Sequence, residues 1–92
     1  MNQYLSEDQF DEVTIEQQQQ FYREIGVSYI HLTAPVIGHM IDFLYKFTTV
    51  TIESEERESP NMGWTVNGEY SAVELVDALW MAVKPILEKL QL

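Results

Sequence analysis

Twelve of the fifteen carboxylates in this 92-residue chain fall in two stretches that hold almost no basic residue. Residues 1–22 carry Glu7, Asp8, Asp11, Glu12 and Glu16 with no Lys or Arg. Residues 53–77 carry Glu53, Glu55, Glu56, Glu58, Glu69, Glu74 and Asp77, with Arg57 alone among them. The formal charge is −10, yet 46% of the residues are hydrophobic and 11 are aromatic. A disordered acidic chain lacks that apolar content. The chain must therefore fold around one core and keep its charge outside, and its length suits a single domain spanning 1–92.

Charge of this sign repels nucleic acid and anionic membrane and attracts basic surfaces. The bland reading is solubility, since net charge keeps small domains apart. There is no cysteine, which removes disulfides, thiolate catalysis and Cys-ligated zinc and is compatible with a reducing cytoplasm. Met1–Gln9 is too polar for a signal peptide, and Val27–Phe47 is interrupted by too many polar residues to span a bilayer.

The pattern predicts an α+β fold: a mostly helical small domain with three main helices and a short antiparallel β-hairpin. Residues 6–25 read as helix, opened by the Ser6–Gln9 capping box. Thr14–Gln17 repeats that box, so two helices bending near Val13 are also compatible. Phe10, Val13, Phe21 and Ile25 share a face with Gln17 between them, Gln17–Gln20 reads as a solvated face, and Gly26 as the stop. Val27–Leu32 reads as a short extended connection, and Thr33 as the cap of a second helix with Pro35 in its first turn. That helix runs to Phe47, with Gly38 packed closely against a neighbour. The β-branched run near 48–54 and residues 63–70 form the hairpin, with Asn67-Gly68 as the turn signal. Ser71–Glu74 is a third capping box before a helix over Ala72–Leu90. Val73, Val76, Leu79, Trp80, Val83, Leu87 and Leu90 line its apolar face, and Pro85 predicts a kink or an end.

No motif assigns catalysis. His31 and His39 lack metal-ligand spacing, no glycine-rich phosphate loop is present, and no histidine is placed to activate a serine. Glu53–Glu58 lacks the Asp/Asn ligands and central glycine of a calcium loop. The expectation is a non-enzyme with no cofactor and no metal. On one continuous helix Asp8, Glu12 and Glu16 would stand in a row about 6 Å apart. Glu53 and Glu55 would share a strand face about 6–7 Å apart, and Glu74 and Asp77 would be helix neighbours. Rows of this kind approach the spacing of phosphates along a DNA strand.

With these features the chain resembles the small acidic DNA-mimic proteins of bacteriophages, and more narrowly the Arn-type anti-restriction proteins of T-even phages. The likeness lies in the length, the lack of cysteine, the opening Met1-Asn2-Gln3-Tyr4-Leu5-Ser6-Glu7-Asp8 and the segment Glu53-Ser54-Glu55-Glu56-Arg57-Glu58. The resemblance implies a dimer whose carboxylates imitate duplex phosphates, in the cytoplasm of an infected bacterium. It implies as targets a McrBC-type restriction endonuclease and, second to it, the nucleoid protein H-NS. The expected contact residues are Asp8, Asp11, Glu12, Glu16, Glu53, Glu55, Glu56, Glu58, Glu74 and Asp77. The partner is a basic DNA-binding protein, with no direct nucleic-acid or membrane binding. A homodimer is expected through apolar surface on the last helix or the second. Two alternatives stay open: an acidic adaptor, or a nuclease inhibitor that does not imitate DNA, either one binding through aromatic and apolar surface.

Overall fold

The computed structural model describes residues 3–26, 34–55 and 63–90. Among these residues, four helices and a three-stranded antiparallel sheet follow one another as α1 (Glu7–Phe10), α2 (Ile15–Glu24), α3 (Ile37–Phe47), β1 (Ile52–Glu55), β2 (Gly63–Val66), β3 (Tyr70–Ala72) and α4 (Leu75–Leu90). The predicted α+β class holds, with one more strand than a hairpin.

Both N-terminal capping boxes form. The Gln9 amide donates to Ser6 Oγ at 3.1 Å, and the Ser6 amide donates to Gln9 Oε1 at 3.2 Å. The Gln17 amide donates to Thr14 Oγ1 at 3.1 Å, and the Thr14 amide to Gln17 Oε1 at 2.8 Å. Two boxes make two helices, because the Thr14 box needs an extended backbone at its own position. The break between them exposes carbonyls that a continuous helix would have used. Gln18 takes one of them: its side-chain amide donates to the Phe10 carbonyl at 2.9 Å. Gln17 and Gln18 are accordingly buried, which corrects the solvated reading of the glutamine run. Gly26, at φ +70, ends α2 as expected, in a conformation that residues with a Cβ rarely adopt.

The second main helix starts later than expected. Val36 is its N-cap, in extended geometry, and Pro35 lies buried ahead of it, outside the first turn. Leu5 N–H donates to the Pro35 carbonyl at 3.0 Å and Ile37 N–H to the Gln3 carbonyl at 3.1 Å. This short bridge to the N-terminal arm holds the backbone extended where a helical turn was expected. The proposed cap at Thr33 and the connection 27–32 lie outside the described residues. Gly38 is exposed, and a Cβ there would meet nothing within 4 Å, so it is not a close-packing site.

The β-branched run is strand only from Ile52 onward. Thr48 instead closes α3, donating to the Leu44 carbonyl at 2.9 Å, and Thr51 is bound to the side chain of Asn67 at 2.8 Å. Asn67 and Gly68 both have positive φ, 55° and 67°. With Glu69 N–H donating to the Val66 carbonyl at 3.2 Å, they form a turn with the φ signs of type I′, joining β2 to β3. The register is Ile52↔Val66↔Tyr70 and Ser54↔Trp64↔Ala72 on the face toward the core, and Glu53↔Thr65↔Ser71 on the other. Gly68→Ala would keep the space but strain the backbone, and we expect it to cost about 1 kcal/mol, or roughly 4–8 °C in the thermal unfolding midpoint.

The third capping box does not form. Ser71 belongs to β3 and its hydroxyl pairs with that of Thr65 at 3.0 Å, so the helix begins only at Leu75. Strand pairing takes Ser71 away from the cap, and Val73, expected on the apolar face, is left exposed. Helix α4 then runs through Pro85 to Leu90 without ending there. It is the central element, packed against α2, α3, β2 and β3. Its Leu75, Val76, Leu79, Trp80, Val83 and Leu87 are all buried. Aromatic rings fill the space beside it: Phe10 meets Phe21, Tyr22 and Trp80 edge-on at centroid distances of 6.3, 6.0 and 5.9 Å. Phe21 stacks on Phe43 at 4.9 Å.

Candidate protein-interaction surface

Among the described residues no acid is buried in the core, as the composition required. Asp8 lies exposed in the first turn of α1 and Glu16 in the first turn of α2. Both positions favour carboxylates, because the unpaired amides of a helix start carry partial positive charge. Asp11 is the C-cap residue of α1 and accepts from the Gln18 side chain at 3.3 Å. Glu12 follows it in the connecting turn. The single row Asp8–Glu12–Glu16 therefore does not exist: the three residues sit on α1, on the turn and on α2, because the second capping box interrupts the helix.

Tertiary contacts bring the two acidic stretches together instead. The side-chain amide of Gln9 donates to Asp77 Oδ1 on the first turn of α4 at 2.7 Å. The indole Nε1 of Trp80 donates to Glu12 Oε1 at 3.0 Å, and Lys84 Nζ reaches the same oxygen at 3.2 Å. Residues 7–16 are thereby tied along the exposed side of α4, next to half-buried Glu74 and Asp77. Glu74 directly precedes α4 and its carbonyl accepts the Ala78 amide at 3.2 Å, so Glu74 and Asp77 stand three residues apart at the start of the helix. Glu53 lies apart from this group, exposed on the outward face of edge strand β1. Glu55 follows it in the strand, and Glu56 and Glu58 lie outside the described residues.

Sequence reading treated Trp80 only as core and gave Gln9 and Lys84 no part in the surface. A signal existed for Trp80: a buried indole N–H needs an acceptor. Its identity, 68 residues away, was not readable.

The Trp80 hydrogen bond, followed by that of Lys84, holds the Glu12 carboxyl below its ordinary value of 4.5; burial opposes them, and the Lys84 charge adds a lesser lowering. A carboxyl with a depressed folded-state pKa stabilises the fold fully above its unfolded value, and that contribution is lost as pH falls through the folded value. We therefore expect wild type to melt above Glu12→Gln at about pH 6 and the two midpoints to converge only as pH falls through the lowered folded-state value, because both side chains are then neutral. Thermal unfolding followed across that range measures it.

Of the two histidines only His39 lies in the described residues. His39 accepts the Val36 amide on Nδ1 at 3.4 Å and sets its ring edge-on to Tyr22, while His31 lies outside them. Among the described residues no three His, Asp or Glu side chains gather as a metal-ligand set, and no helix is long and apolar enough to cross a membrane. An open cleft lies between the ends of α3 and α4 and the β2–β3 turn, with Phe47, Thr51, Tyr70 and Ile86 in its lining and one acid and one base, Glu69 and Lys89, at its edge. None of the acids of segments 7–16 and 74–77 lines it.

The chain matches no protein-family model, no curated protein and no solved structure.

Proposed function

We propose that this protein is a non-enzymatic inhibitor that binds a basic DNA-binding protein through its acidic surface, imitates the phosphate backbone and keeps DNA from that partner. One observation carries the reading: two sequence-distant acidic segments, 7–16 and 74–77, are tied together, Gln9 donating to Asp77 and Trp80 on α4 donating to Glu12. Among the described residues, Lys84 reaches this group and is itself bound to Glu12. A fixed array of carboxylates gains many weak terms at once against a phosphate-binding groove and speeds encounter by steering. The contact set is Asp8, Asp11, Glu16, Glu74 and Asp77, with Glu53 and the Glu55–Glu58 segment as a second patch. The resemblance to Arn-type proteins supports a McrBC-type endonuclease as the target, with H-NS second, and the cytoplasm of an infected bacterium as the place.

The test is displacement. Purified H-NS, and separately a McrBC-type endonuclease, would be loaded with a fluorescent duplex and titrated with this protein at several salt concentrations. The reading expects release of the duplex, with affinity falling steeply as salt rises. Binding that leaves the duplex in place, or no binding to either target, would sink it.

A second reading has its own observation. Tyr45 and Met81 are exposed, and Phe47 is 39% exposed. An adaptor or non-mimic inhibitor using such residues would bind in a salt-tolerant way. The same residues support the homodimer expectation, through the α3 end or the outer side of α4. Sedimentation at micromolar concentration should give twice the 10.7 kDa chain mass, and a monomer alone would remove the dimer from the proposal.

A further inference from the structure

We infer that Glu12 is a positioning residue of the acidic surface rather than one of its contact carboxylates, and that it acts through the indole of Trp80. The inference rests on the reading above for what the surface binds, but the tie itself stands on geometry alone.

Helix α1 has four residues, too few to be stable by itself. Its backbone is held by the Ser6–Gln9 box and by Phe10 and Val13 in the core. Those contacts fix the inner side of the 7–16 segment. On its outer side, the segment is joined to α4 by Gln9 to Asp77 and by Glu12 to Trp80 and Lys84. The Glu12 tie is the more demanding of the two. Trp80 is 2% exposed, so its N–H has no ready replacement for the carboxylate, and a buried donor left without an acceptor is unfavourable. One oxygen, Oε1, accepts from both Trp80 and Lys84. A basic partner would have to displace an internal cation to use this carboxylate, whereas Asp8 and Glu16 need no such exchange for their place in the first turns. Glu12 therefore holds the turn that carries Asp11 and leads to Glu16 against α4, and its Oε1 is already engaged by Trp80 and Lys84.

Two variants separate position from charge. Glu12→Gln and Glu12→Ala both remove one negative charge, but glutamine keeps an oxygen that can accept from the indole. In duplex displacement from H-NS, Glu12→Gln should stay within about twofold of wild type, while Glu12→Ala should weaken by about tenfold or more. The two variants should show the same salt dependence, because they carry the same charge. Trp80→Phe, which removes the donor and alters no charge, should behave like Glu12→Ala. The Trp80 indole proton resonance should stay near its wild-type position in Glu12→Gln and shift in Glu12→Ala. Backbone hydrogen exchange over Asp11–Thr14, measured on the isolated full-length chain, should quicken in Glu12→Ala and Trp80→Phe only. Thermal unfolding confirms that each variant remains folded.

Equal losses in the Gln and Ala variants would show that Glu12 acts through its charge, and wild-type displacement by the Ala variant would show that it does nothing; either result overturns the inference. If wild type itself releases no duplex, the functional reading fails and the exchange experiment decides this inference independently. Unchanged exchange in Glu12→Ala then overturns it, and selective quickening supports it.

Discussion

Replacing Phe21 by alanine is expected to remove about 3–5 kcal/mol of stability, the range for deleting a fully buried aromatic ring. Phe21 has no exposed surface, and its ring stacks on Phe43 at 4.9 Å while meeting Phe10 and Tyr22 edge-on. The rings it meets, Phe10, Tyr22 and Phe43, are rigid, so they close the gap only in part. A domain of this size has about 5–15 kcal/mol in total. The thermal midpoint should therefore fall by roughly 15–30 °C, and much of the population should be unfolded at physiological temperature. Tyr45→Ala serves as the control: Tyr45 is exposed on α3, and its loss should change stability by no more than about 0.5 kcal/mol. A Phe21→Ala protein that melts within a few degrees of wild type would mean that the aromatic cluster is not the centre of the core.

The second large effect falls on binding. The triple change Asp8→Asn, Asp11→Asn, Glu16→Gln removes three exposed carboxylates and leaves the Glu12 and Asp77 ties in place. Each exposed ion pair contributes about 0.2–1 kcal/mol. Three acting together against a phosphate-binding groove should contribute about 2 kcal/mol, a loss of roughly thirtyfold in affinity. The salt dependence should flatten as well, since fewer charge pairs remain to be screened. Any one of the three changes alone should have a small effect. Stability should move little: Asp8 and Glu16 give up about 0.3–1 kcal/mol each at their helix starts, and lower self-repulsion offsets part of that. Duplex displacement by the triple variant, measured beside thermal unfolding, separates the two. Full affinity with full displacement would make the acidic surface a solubility device.

These two effects sit on different levels of the molecule, and the sequence reveals them unequally. The burial of Phe21 was readable because Phe10, Val13 and Phe21 recur on one helical side. The acids were readable as solvent-facing because a charge of −10 cannot enter a core. Their arrangement was not readable. A straight helix would have made Asp8, Glu12 and Glu16 a row, but the second capping box breaks it. Tyr22 and Gln18 were missed as buried residues: the break opens a carbonyl that Gln18 then closes, and Tyr22 sets its ring edge-on to Phe10 and Phe21.

What the sequence determined by itself is whatever depends on partners three or four residues away. The Ser6–Gln9 and Thr14–Gln17 boxes, the Gly26 stop and the Asn67-Gly68 turn all form where they were read, because their donors and acceptors travel with the local chain. The tertiary structure decided every case in which a distant group competes for the same atoms. Ser71 leaves its cap because Thr65, across the strand pair, takes its hydroxyl. Pro35 stays out of α3 because Leu5 binds its carbonyl. Thr51 stays out of the strand as Asn67 claims its amide. Glu12 turns from a free charge into a tie because the buried indole of Trp80, 68 residues on, has a donor that must be satisfied. Local hydrogen bonds cost little chain entropy and so form wherever nothing better is offered. Long-range ones win only when the folded core has already brought the partner within reach, and that meeting is a property of the packing.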